Sequence, residues 1–144
     1  MRLRLVFGVF ALGLLGLGCT KSNFNIGSVG ETMAYDRTLI EAKAGSTITV
    51  TLKNNATSAA MKHNFVLVRP GQDIIVGQQA MNAGEAKDWI PENVGNAILA
   101  HSKLSQPGSS VSVTFTVPPP GEYPYICTYP GHFATMKGVL KSVP

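Results

Sequence analysis

Ten residues near the C-terminus, Cys127-Thr-Tyr-Pro-Gly-His132-Phe-Ala-Thr-Met136, hold a thiol, an imidazole and a thioether. Four residues separate the first pair and three the second. One thiolate and two imidazoles in a trigonal set, with a long, weak thioether contact on the axis, make a type 1 copper site. The segment is one imidazole short. His63, in Lys62-His63-Asn64-Phe65, and His101, in Leu99-Ala-His-Ser-Lys103, are the other histidines of the chain. His63 opens a strand-like run and is the favoured second imidazole. His101 stands beside a lysine with no further donor nearby and reads as exposed.

Each of these residues has a plainer reading when taken alone. A cysteine at the end of an apolar strand is commonly a buried structural thiol. His132 would be a solvated loop histidine, His63 a satisfied histidine at a sheet edge, and Met136 a core side chain. Their spacing is what favours ligation, with Cys127, His132 and Met136 on one loop that returns into a strand. Cysteine usage points the same way. The chain has two cysteines, Cys19 and Cys127. If Cys19 is consumed by modification, Cys127 is a lone thiol in an exported protein, exposed to oxidation unless a metal holds it as thiolate.

The elements that must position these ligands follow from the rest of the chain. Its 144 residues suit one domain able to bury a core without disulfides. Met1-Arg-Leu-Arg4 is basic, and residues 5–18 are apolar residues and glycines, the length of a signal-peptide core rather than of a membrane-spanning helix. Gly16-Leu17-Gly18-Cys19 resembles a bacterial lipoprotein cleavage box with Cys19 as the acylated residue, although Gly16 stands where such boxes carry leucine. Loss of residues 1–18 removes Arg2 and Arg4 and lowers the formal net charge from +4 to +2. So small a surplus, without a basic run, excludes a nucleic-acid partner. Residues 19–32 read as a lipid-anchored tether, with Phe24–Val29 as a weak first strand, and residues 33–144 as the domain. About ten flexible residues would span roughly 15–20 Å.

Within the domain the pattern is that of strands. Ser46–Lys53 alternates strictly, with Ile48, Val50 and Leu52 on one face. Met33–Ala42 alternates moderately, and His63–Arg69 is apolar on both faces, as a central strand would be. Residues 98–104, 110–117, 121–127 and 136–143 are further strands between Gly/Pro turns, while 73–90 does not alternate and reads as a short helix. Together they indicate an all-β, antiparallel Greek-key sandwich with a short helical insertion.

The segments Cys127-Thr-Tyr-Pro-Gly-His132, Met136-Lys-Gly, His63-Asn64 and Ile98-Leu-Ala-His-Ser-Lys-Leu104 resemble the azurins and, more closely, the auracyanins, their relatives in photosynthetic bacteria. The resemblance spans most of residues 34–143. It implies a cupredoxin (plastocyanin-like) β-sandwich of about eight strands with one copper near one end. His63 and His132 would bind through Nδ1 and Met136 would be the axial ligand. Lys62 would offer a weak backbone carbonyl contact, and the backbone N–H groups of Asn64 and Tyr129 would approach the thiolate sulfur. Met61, Tyr129, Pro130, Phe133 and Ala134 would form an apolar rim around His132, with inward packing of Met61 and Phe133 as the alternative. The disulfide of the azurins has no counterpart here.

The function expected from this is one-electron transfer and not enzymatic catalysis, because the four side chains fill the metal and no second histidine cluster remains. The chain is expected to be a monomer, exported and lipid-anchored at the periplasmic or outer face of the cytoplasmic membrane. It would shuttle electrons from a membrane oxidoreductase to a c-type cytochrome or similar acceptor, in a photosynthetic or respiratory chain. The alternatives are a periplasmic copper-binding or storage protein, and a copper-free or zinc-binding adhesion-type sandwich.

Overall fold

The computed structural model describes residues 21–144, so the signal-peptide region and Cys19 lie outside the described residues. Two sheets form the domain. The smaller has the order β1 (Lys21–Gly27), β3 (Thr47–Lys53), β6 (Ser110–Thr116). The larger runs β2 (Leu39–Lys43), β8 (Lys137–Val143), β7 (Gly121–Ile126), β4 (Val66–Val68), β5 (Ile98–His101). One helix, α1 (Asp73–Ala80), and a short 3-10 turn at Glu85–Lys87 occupy the long β4–β5 connection. This is the all-β sandwich with a helical insertion expected from sequence.

The strict alternation of β3 has the anticipated result. Ile48, Val50 and Leu52 are buried, each removing about 1.5–3 kcal/mol worth of side chain from water. The intervening threonines face outward and bond across to β6, with Thr49 to Thr114 at 2.7 Å and Thr51 to Ser112 at 2.8 Å. β4 lies between β7 and β5 and is buried on both faces, with Leu67 in the core shared with the smaller sheet and Val66 and Val68 clustered with Val76 of α1. Pro124 falls in β7 beyond the stretch that pairs with β4, where its missing N–H is tolerated. An aromatic column ties the sheets together: Phe115 of β6 lies 6.3 Å from Phe65, Phe65 5.1 Å from Tyr125 of β7, and Tyr125 5.5 Å from Tyr35.

Several expectations need correction. Residues 21–27, read above as tether with a weak strand over Phe24–Val29, form β1, which pairs with β3 along its whole length and buries Ile26. The packed domain therefore begins before residue 33. The sheets are not wholly antiparallel, since β1–β3 and β2–β8 are parallel pairs. Periodicity does not reveal strand direction, and both pairs join segments far enough apart to permit a crossover. Of the 33–42 segment only the part from Leu39 onward is a strand, β2. His63 precedes β4 and touches the sheet through an isolated bridge to Ser105.

Gly138 in β8 faces the Tyr125 ring so closely that an added Cβ would overlap the ring carbons and hydroxyl. That ring is held by its hydroxyl, which donates to the Arg37 carbonyl at 2.6 Å. Gly138→Ala is expected to lower the urea unfolding free energy by about 1–3 kcal/mol, because a core aromatic must move off its packing. An unchanged midpoint would show that the column has slack.

Candidate metal centre

Three donors meet at one end of the sandwich, each delivered by a different constraint. His63 is fixed through its backbone, whose N–H donates to the Ser105 carbonyl at 3.2 Å and whose carbonyl accepts from the Ser105 N–H at 2.7 Å. Cys127 follows the last residue of β7, and its N–H donates to the Met136 carbonyl at 3.0 Å, closing the base of the loop. Within the loop the His132 N–H bonds the Tyr129 carbonyl at 3.0 Å, and the Met136 N–H bonds the His132 carbonyl at 2.8 Å. Gly131 takes φ +82°, a conformation that lets the chain reverse without side-chain strain.

The result is a triangle of side-chain atoms. Cys127 Sγ lies 3.9 Å from His63 Nδ1 and 3.7 Å from His132 Nδ1, and the two Nδ1 atoms are 3.2 Å apart. His63 and Cys127 are fully buried and His132 retains 4% exposure. Burial holds the thiol up to about 12 from its usual 9.0, against opposing hydrogen bonds from the backbone N–H groups of Asn64 and Tyr129. Burial, with repulsion from His132, lowers His63 to about 4, and burial also lowers His132. Without a cation the site is therefore a neutral thiol beside two neutral imidazoles, with converging lone pairs that have little to bond except each other.

A metal ion fits this set. Bonds of about 2.0–2.3 Å to imidazole nitrogen and thiolate sulfur give ligand–ligand edges close to those seen. No carboxylate joins the cluster, the sole grouping of three or more such donors among the described residues. A hard, oxygen-seeking cation is thus disfavoured, and a soft site of two nitrogens and one sulfur suits copper or zinc. His63 Nε2 is buried without a hydrogen-bond partner among the described residues, so the imidazole is oriented by what Nδ1 faces. Met136 is buried in the same core cluster as Cys127. His101 is exposed at the end of β5, away from the triangle.

The other residues singled out in the sequence are placed as follows. Asn64 is buried; its Oδ1 accepts from the Thr128 N–H at 2.8 Å and its Nδ2 donates to Thr128 Oγ1 at 2.7 Å. That ties the His63 segment to the Cys127 loop. Lys62 directs its ammonium to the Glu85 carboxylate. Met61, Tyr129 and Pro130 are half-buried and Ala134 is exposed. Phe133 is half-buried against the Val66–Val76–Ile126 cluster and lies directly on Gly77 of α1, where no Cβ would fit. It thus packs inward on the insert.

Sequence reasoning missed several residues. Asn54, read only as the start of a loop, is buried and donates to the carbonyls of Met61 at 2.7 Å and Ser105 at 3.1 Å. Tyr35 donates to the Asn64 carbonyl at 2.6 Å. Asp88 and Trp89 both adopt left-handed backbone, at φ 54° and 57°. Such residues cost on the order of 1–3 kcal/mol each and persist only where their surroundings over-determine them. No residue pattern in 73–90 announces that turn. Met33, an exposed residue, also reaches the ligand loop through its backbone carbonyl, which accepts from Thr135 Oγ1 at 3.1 Å.

Comparison with known proteins gives a consistent result. Residues 22–142 match the family described as copper binding proteins, plastocyanin/azurin family. Auracyanin-A of Chloroflexus aurantiacus is 42% identical over 117 residues, covering 80% of this chain and 70% of the relative. An azurin of Achromobacter denitrificans is 39% identical over 117 residues, covering 77% and 78%. Among solved structures, auracyanin A of C. aurantiacus, described as a "blue" copper protein, superposes with a TM-score of 0.80 at 39% identity, covering 86% of this chain and all of the other. The dithionite-reduced auracyanin of Roseiflexus castenholzii gives 0.76 at 42% identity, covering 88% and 100%.

The buried donors make the metal-free protein sensitive to pH in two windows. His63 is depressed, so its stabilising contribution is complete above 6.5 and is lost as pH falls towards 4, where the unfolded chain binds a proton that the folded one refuses. Cys127 is raised, so its contribution is complete below 9 and lost as pH rises towards 12. Thermal melting of metal-free protein should show a plateau between about pH 6.5 and 9 with a decline on each side. Copper(II) added at pH 7 in weak buffer should release about one proton per site, from the thiol alone. Release near zero would mean that the thiolate already exists without metal.

Proposed function

This chain belongs to the plastocyanin/azurin family of copper-binding proteins, and from that membership we propose that it is an exported one-electron carrier with a single type 1 copper held by His63, Cys127, His132 and Met136. The observation that carries the reading is the buried triangle of one Sγ and two Nδ1 atoms. Copper bound there supplies the Cu(II)/Cu(I) couple, for which a thiolate, two imidazoles and a distant thioether serve both states tolerably. The chain's own part is to keep those donors still. Backbone bonds from Ser105 to His63 and from Cys127 to Met136 fix the ligands from both sides, so little rearranges as charge changes. The N–H groups of Asn64 and Tyr129 withdraw electron density from the sulfur and favour the reduced state. His132, with Tyr129 against its ring, is the proposed exit for the electron, and Met61, Tyr129, Pro130 and Ala134 are the uncharged residues proposed for the rim around it. A small apolar rim suits brief docking of redox partners. Burial of every donor argues against storage or delivery of copper, which needs ligands that a recipient can reach.

The partners we propose are a membrane oxidoreductase as donor and a c-type cytochrome or similar acceptor, with the carrier monomeric and anchored through lipid on Cys19. Cleavage after Gly18 would leave a single residue, Thr20, between the anchor and the first residue of β1. β1 enters beside Thr47 and leaves beside Lys53, next to Asn54 and the ligand loops. Seven residues of strand span about 23 Å. The anchor would then attach at the pole opposite the copper, and the redox end would face away from the membrane on a much shorter leash than the expected tether.

Copper(II) should turn the purified protein intensely blue or green, and a mild reductant should bleach it. Cys127→Ser is expected to abolish the band while the sandwich still folds; a retained band would assign the sulfur elsewhere. Met136→Leu should keep copper and raise the reduction potential, since a donor that helps stabilise copper(II) is lost. An unchanged potential would make Met136 a core residue only. Mass spectrometry of the membrane-extracted protein should find acyl mass on Cys19. A mature N-terminus elsewhere, without lipid, would make this an ordinary soluble exported carrier.

A further inference from the structure

Asp88 and Trp89 are the two non-glycine residues with positive φ among the described residues, and they are consecutive. The polar groups that hold them come from the insert, from Asn64 beside the metal centre and from Leu104 in the segment after β5. The Asp88 N–H donates to the Glu85 carbonyl at 2.9 Å and the Trp89 N–H to the Gly84 carbonyl at 3.1 Å. Asp88 Oδ1 accepts from the Leu104 N–H at 2.9 Å. The Asp88 carbonyl accepts from Asn64 Nδ2 at 2.8 Å. The Trp89 ring meets the Tyr129 ring edge-on, with centroids 5.9 Å apart and planes at 77°, and Tyr129 in turn lies 4.9 Å from His132. The indole N–H is buried without a partner among the described residues, so the ring is held by packing and not by a hydrogen bond.

Asn64 and Tyr129 are the two residues whose backbone amides face the Cys127 sulfur, and they lie on segments 65 residues apart. The strained turn touches both, through a carbonyl on one side and an aromatic edge on the other. We propose that the Asp88–Trp89 turn is a positioning device that braces Asn64 and Tyr129 together, and thereby fixes the direction of the two amides at the sulfur. A relaxed turn would carry the Trp89 ring away from Tyr129, which explains why a bulky aromatic is kept in a backbone conformation it disfavours. The consequence for redox behaviour rests on the copper reading above, whereas the mechanical consequence does not.

The test compares Trp89→Leu, which removes the aromatic edge, with Trp89→Phe, which keeps one. In copper-free protein, amide hydrogen exchange at Tyr129 and Asn64 should accelerate by about tenfold or more in Trp89→Leu and stay near wild type in Trp89→Phe. Exchange at Ile48 and Val50 of β3 should be unchanged in both, separating a local effect from global destabilisation. In copper-loaded protein, Trp89→Leu should lower the reduction potential, as looser amides leave more charge on sulfur, and Trp89→Phe should restore it. Should Trp89→Leu fail to fold, Asp88→Ala deletes the Leu104 contact that anchors the turn while leaving its left-handed backbone disfavoured, so the turn should relax with the same shifts. Wild-type exchange at Tyr129 and Asn64 in the variant, or an unaltered potential, would overturn the proposal, as would a Trp89→Phe variant that behaves like Trp89→Leu. A wild-type protein that never turns blue would count against the copper reading instead, and the exchange measurements would still decide the brace.

Discussion

A thiol and two imidazoles have been taken out of water and pointed at one another, and the rest of the structure answers to that constraint. Burial keeps the Cys127 proton on and the His63 and His132 protons off. Two nitrogens 3.2 Å apart, with a sulfur 3.9 Å from one and 3.7 Å from the other, gain little from mutual contact in that state. A soft cation in the centre would give the lone pairs something to bind, and its binding would displace the thiol proton. The same burial that raises the cost of a charge here strengthens the attraction once the charge is complementary.

Holding three such donors in place requires support from several directions. The smaller sheet contributes Asn54, which reaches from the end of β3 to the carbonyls of Met61 and Ser105 on either side of the His63 bridge. The larger sheet contributes β7 and β8, between which the ligand loop is a closed turn. The insert contributes α1, whose Gly77 receives Phe133, and the turn at Asp88–Trp89. Asn64 is where these meet, with hydrogen bonds to Thr128, Asp88 and Tyr35. A centre braced this way offers a transferred electron little to reorganise. The function as a carrier follows from that stiffness more than from any single ligand.

Much of this was legible in the residues. The alternation of Ser46–Lys53 announced β3, and the spacing of Cys127, His132 and Met136 announced the loop because a few bonds set its geometry locally. The second imidazole was harder. His63 lies 64 residues before Cys127, and only the scarcity of histidines and a family resemblance picked it out over His101. Strand direction was not legible, since a period of two is the same in parallel and antiparallel pairs. β1 was legible only in part, as a weak strand over Phe24–Val29, because Lys21–Gly27 is mostly small and polar and Ile26 is buried only where β1 pairs with β3. Asn54 and Asp88–Trp89 escaped notice for another reason. Their roles are hydrogen bonds and backbone angles created by tertiary contact, and an asparagine or an Asp-Trp pair in a loop carries no local sign of either.

The claim at the centre of this account is that the site is already arranged for the metal and alters little when the metal changes charge. X-ray absorption at the copper edge, recorded on the oxidised and the reduced protein, tests that claim most directly. One sulfur and two nitrogens at nearly unchanged distances in both states are the expected result. Loss of a nitrogen or of the sulfur on reduction, or gain of an oxygen ligand on oxidation, would contradict it.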